Sequence, residues 1–175
     1  MKHSGLNSNT YGILCGLLMS CWVLIEYVLG FHTTSLDIGR YSGYFAVLIP
    51  LIIIFIALSE RQKSLNRPIQ FVDGINVGFK IAILSSLVLT IFFYIYNTYI
   101  NPDWIDRMID WQRKQMIING SSPDEIQAFV NRNAVHYNAL GQSIMGFISW
   151  TGIGVFITLL EIPLVKKFFK SRYLA

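Results

Sequence analysis

The stretch Tyr94–Met108, "YIYNTYINPDWIDRM", changes character at its middle. Behind it lies an apolar run from Gly78 to Tyr99 whose one charge, Lys80, stands near its start. About 20 apolar residues suffice to cross a bilayer as a helix. Ahead of it come Pro102, Asp103, Trp104 and Asp106. The change reads as a chain leaving a bilayer near Tyr99 and starting a second helix at the water interface. Asn101 is the expected N-cap of that helix, with Pro102 as its first residue and Asp103 set against the helix dipole. Trp104 and the neighbouring tyrosines fit an interfacial aromatic belt.

Composition extends this reading to the whole chain. Of 175 residues, 53% are hydrophobic and 14% charged. Soluble domains carry about 25% charged residues. The net charge of +4 is small, and the basic residues flank apolar runs, which marks topology and not a nucleic-acid surface. Besides the third run, 78–99, spans are expected at 11–31, 42–59 and 143–165. The first run is too long for a signal-peptide core, contains Glu26 and has no small-residue cleavage site after it. Pro50 falls mid-span and predicts a kink. Cys15 and Cys21 lie on one helix, cannot pair with each other, and read as small packing residues.

With four spans, both termini share a side with the loop between helices two and three. That side holds nine of the fourteen Lys and Arg residues, packed beside helix ends, against five on the other. Both termini are therefore expected in the cytoplasm, and residues 101–142 outside it. In this connection Trp104, Ile105, Met108, Ile109 and Met116 recur at helical spacing, with Asp103–Arg107 and Asp110–Lys114 as i,i+4 pairs. Asn119-Gly120 ends that helix. Ser122 and Glu125 form a capping box around Pro123, and Ile126, Phe129, Val130, Asn133 and Tyr137 mark the buried stripe of the next. The expected fold is an all-α integral membrane protein: a single domain of four transmembrane helices with an extracytoplasmic helical hairpin between helices three and four.

Several segments resemble a known family. These are "IPLIIIFIALSERQKS" (49–64), "IQFVDGINVGFKIAILSSLV" (69–88), "YIYNTYINPDW" (94–104) and "GSSPDEIQ" (120–127). With Phe71, Gly78 and Lys80 leading into helix three and the "YINPD" exit at Tyr99–Asp103, they are similar to the domain of unknown function 4199. That family consists of small bacterial proteins with four predicted spans and no established activity. The resemblance implies a multi-pass protein of the bacterial inner membrane and no catalytic residue or cofactor.

Three charged residues fall within the spans. Glu26 lies about 7 Å from the outer end of helix one, on a face with Gly12, Gly16, Ser20, Val23 and Tyr27. A carboxylate there costs a few kcal/mol and so reads as a proton or cation site, or as a structural group bonded to Tyr94 or Asn97. Glu161, near the inner end of helix four, is expected to pair with Lys80 or to reach the interface by itself. Glu26 and Glu161 sit near opposite membrane faces and do not form a carboxylate pair. His32 and His136, even with Asp37 or Asp103, lack the spacing of metal ligands. No phosphate loop or nucleophile motif occurs. The basic tail from Lys166 reads as a topology anchor, with anionic-lipid binding as the alternative.

Three functions fit. The first is a non-catalytic accessory subunit acting through helix packing and the hairpin, its partners being lipid and either a second copy or another membrane protein. The second is a small oligomeric transporter or channel component using Glu26, and the third an intramembrane enzyme.

Overall fold

The structure is a computed structural model that describes residues 7–65, 67–136 and 138–169, with only the backbone of 134–136. All regular structure among the described residues is helical. The helices are α1 (Ser8–Val28), α2 (Leu36–Ser42), α3 (Leu48–Ser64), α4 (Phe71–Ile95), α5 (Trp104–Ile118), α6 (Pro123–His136) and α7 (Ala139–Phe168). A 3-10 segment, Gly43–Val47, fuses α2 to α3, and a π-helical turn, Tyr96–Ile100, extends α4. Four stretches are long and apolar enough to cross a membrane: 8–28, 36–64, 71–100 and 139–168. The chain is a multi-pass membrane protein.

These stretches differ from the apolar runs of the sequence at most ends, because caps, and not hydropathy, set helix ends. Asn7 accepts the Thr10 N–H at 2.9 Å and starts α1 early. Gly30, at φ +79°, stops it early: Gly30 N–H bonds the Tyr27 carbonyl and Phe31 N–H that of Glu26. This is the left-handed stop that glycine tolerates best. Pro50 is the third residue of α3, preceded by a 3-10 turn, so its missing donor falls at the junction where 3-10 bonding gives way to α-helical bonding and not within the regular helix.

α4 packs most extensively on α7 and α1, and α3 closes against all three. Small residues make this possible. A β-carbon added at Gly12 would lie 2.7 Å from Leu84 Cβ, and one at Gly16 2.6 Å from Val88 Cβ. Gly154 meets Ala82 in the same way, and Gly74 and Gly78 accommodate Ile162 and Thr158. Backbones approach closely where such residues face each other, which is how helices gain dispersion contacts without a hydrophobic drive. Cys15 is buried against Met19, whereas Cys21 is exposed and both are free.

α5 and α6 pack on each other through the turn 119–122. The Asn119-Gly120 stop is present, with Gly120 at φ +77°. So is the capping box: Ser122 N–H donates to Glu125 Oε2 at 2.8 Å, and Glu125 N–H to Ser122 Oγ at 3.3 Å. Ile105 and Asn133 are buried, and Trp104, Met108, Ile126 and Phe129 half-buried on the expected stripes. Tyr137 lies outside the described residues. Asp103 pairs with Arg107 at 3.0 Å, but Asp110 and Lys114 form no ion pair.

Asn101 does not cap α5. Its side chain is buried and donates to the Tyr96 hydroxyl at 3.0 Å, leaving Pro102 and Asp103 as a turn ahead of Trp104. The π-helical turn causes this. Asn101 N–H bonds the Tyr96 carbonyl five residues back, which rotates Asn101 inward.

Candidate functional site

Glu26 is the residue around which polar groups converge. It sits in the last turn of α1 and is 3% exposed. Trp22, one turn back on the same helix, donates its indole N–H to Oε1 at 2.9 Å. Ser42, the last residue of α2, donates its hydroxyl to the same oxygen at 2.5 Å. Charge-assisted O–H···O⁻ bonds have this length. His32 brings Nε2 to 3.4 Å from Oε2.

The network continues past His32. Its Nδ1 lies 2.7 Å from the Tyr96 hydroxyl, which also accepts the Asn101 amide N–H. His32 thus bridges the Tyr96 hydroxyl and the Glu26 carboxylate through its two ring nitrogens. Trp104 lies over the imidazole at 4.2 Å between ring centres, and Tyr27 meets Tyr96 edge-on. The ends of α1, α2, α4 and α5 are thereby joined through one set of side chains.

The expected partners of Glu26 are not its partners. Tyr94 is exposed, and Asn97 donates to Gln142 of α7 at 2.9 Å. A regular wheel for the third span ignores the π-helical turn and so misplaces this end. The Lys80–Glu161 pair does not form either. Lys80 is exposed, while Glu161 is buried with Oε2 lacking a hydrogen-bond partner. Lys80 is two residues from both Gly78 and Ala82 on the packed face of α4, about 200° round the helix from each. Asp37 accepts the Trp111 indole N–H, and the side chain of His136 lies outside the described residues.

Beside the carboxylate is a cavity of about 860 Å³. Glu26, His32, Phe93 and Trp104 form one part of its wall, and the first three turns of α7, from Gly141 to Trp150, form another. Of these features Glu26 alone was prominent in the sequence. His32, Ser42, Trp22 and Tyr96 were not, and the signal that could have found His32 was Gly30 as a helix stop.

A family model described as Protein of unknown function (DUF4199) matches residues 10–161. The chain belongs to this family. The matched segment contains the Glu26 network, the wall of the cavity, Lys80 and Glu161. No curated protein and no solved structure matches the chain.

Proposed function

We propose that this member of the DUF4199 family is a non-catalytic accessory protein of the bacterial inner membrane. It acts through helix packing and through α5–α6, held outside the membrane as a helical hairpin, on a second copy or another membrane protein. The distribution of Lys and Arg puts both termini in the cytoplasm. One observation carries the reading. The polar cluster at the ends of the spans, Glu26 with Trp22, Ser42, His32 and Tyr96, is occupied in joining helix ends. Ile117 and Ile118, exposed at the end of α5, supply apolar surface for a partner.

The test is affinity purification of the full chain in mild detergent beside an I117S/I118S variant, with mass spectrometry of what co-purifies. Stoichiometric capture of a second copy or of one membrane protein, lost in the variant at equal protein level, is the expected result. Equal capture by both chains would remove α5–α6 from the function. A second reading, a small oligomeric transporter component, is favoured by the cavity reaching Glu26. A cellular phenotype for Glu26→Gln identical to deletion, at normal protein level, would promote it.

A further inference from the structure

We propose that the cavity beside Glu26 binds an organic cation, its charged head against the Glu26 carboxylate and the aromatic walls and its apolar body along α7. The accessory function does not depend on this, and the site stands on separate observations.

Size comes first. At about 860 Å³ the cavity is within the ~300–1,000 Å³ range of small-molecule sites. The charge of its wall is the second point. Glu26 is the one carboxylate among the lining residues, and no lysine or arginine stands among them. Among the described residues no lysine or arginine lies within ion-pair distance of Glu26. Arg40, in the last turn of α2, stacks instead on Tyr41 and Trp111, at 5.6 and 5.8 Å from the ring centres. A buried carboxylate with no lysine or arginine beside it gains from a cationic ligand.

The third point is acceptor capacity. Oε1 already takes two donors, from Trp22 and Ser42, whereas Oε2 has only His32 at 3.4 Å. Aromatic faces are the fourth. Phe93, Trp104 and Trp150 line the same space, and ring faces attract ammonium-type cations. Trp104 is held in place by its contact with His32. The remainder of the wall is small and apolar, with Gln142 and Ser149 as neutral polar groups. One carboxylate, three rings and an apolar remainder select a lipophilic cation over an anion or a neutral lipid tail.

Tetraphenylphosphonium tests this, because tetraphenylborate has nearly the same shape and lipophilicity with the opposite charge. Equilibrium dialysis is done on the full chain in nanodiscs of zwitterionic phosphatidylcholine. Saturable one-to-one binding of the phosphonium is expected, and none of the borate dialysed separately. Glu26→Gln should weaken it on the order of tenfold or more, Trp104→Leu several-fold, and Glu161→Gln, away from the cavity wall, not at all. Saturable binding of the borate alone to the native chain, which needs no variant to fold, would overturn the proposal. So would unchanged phosphonium affinity in a Glu26→Gln chain that elutes as the native one does. Non-saturable uptake would reduce the cavity to a lipid-filled groove.

Discussion

His32 Nε2 stands 3.4 Å from Glu26 Oε2 because the chain reverses at Gly30. In an uninterrupted helix, six residues would separate them by about 9 Å along the axis and a third of a turn around it. Gly30 holds a left-handed conformation, and an added β-carbon would also lie 2.7 Å from Thr34 Oγ1. Gly30→Ala should therefore cost about 1–2 kcal/mol and loosen His32 from Glu26. Chemical unfolding in detergent measures the first effect, and the imidazole ¹⁵N shifts of His32 report the second. Native shifts in the variant would mean that the turn does not position the ring.

Substitution of Glu26 should depend on what replaces it. Glu26→Gln keeps an acceptor for Trp22 and Ser42, so its loss of stability should be the smaller one. Glu26→Leu leaves the half-buried Trp22 indole N–H without its partner, at about 1–3 kcal/mol, while the Ser42 hydroxyl keeps the Gly39 carbonyl 3.2 Å away. Thermal unfolding of the two variants in one detergent gives the order. Leucine as stable as glutamine would show that the hydrogen bonds contribute nothing net.

Close approach of α1 to α4 is tested at Gly16. A β-carbon there would lie 2.8 Å from the Ser85 carbonyl oxygen as well as against Val88. Gly16→Leu should cost about 1–3 kcal/mol by overpacking. Gly152→Ala serves as the control, since nothing lies within 4 Å of its added carbon. Equal stability of the two variants would place Gly16 outside a tight interface.

Topology is read by labelling whole cells with an impermeant thiol reagent. A cysteine at Asp124, exposed on α6, should react, and one at Ser64, exposed at the end of α3, should not. The reverse pattern would put the termini outside.

The capping box predicts a pH response confined to α6. Hydrogen bonds from the Ser122 backbone N–H and then its hydroxyl hold the Glu125 carboxyl below its ordinary value of 4.5. A carboxylate whose folded pKa is depressed contributes stability above its unfolded value and loses it as pH falls through the folded one. Amide exchange in the first turn of α6 should thus be unaffected from pH 7 to about 5 and accelerate, relative to the intrinsic rate, below 4.5. Glu125→Gln should abolish that step. A step retained in the variant would assign it to another group.

The four apolar stretches, the α5–α6 pair and its capping box are legible in the sequence because each rests on local pattern. The small-residue face of α1 is legible for the same reason. Partners of Glu26 are not, because they arrive from outside its helix. Ser42 comes from a short helix hidden by the continuous hydropathy of 36–64, His32 by a glycine reversal, and Tyr96 by an irregular turn that hydropathy does not register. Lys80 and Glu161 were joined by depth alone, and the azimuth of Lys80 on α4 separates them.

α1 has 21 residues, whereas the other three apolar stretches have 29 or 30. At 1.5 Å per residue these correspond to about 32 Å against about 44 Å. A hydrocarbon layer of ~30 Å matches the first and is overshot by the rest, which must lean or project beyond it. The shortest helix is therefore the one matched to bilayer thickness. In a thicker membrane its end at Val28 is drawn below the surface, carrying Glu26, Ser42 and His32 away from water and making the buried carboxylate more costly. Lipid chain length thus acts on the same side chains that join the four helix ends.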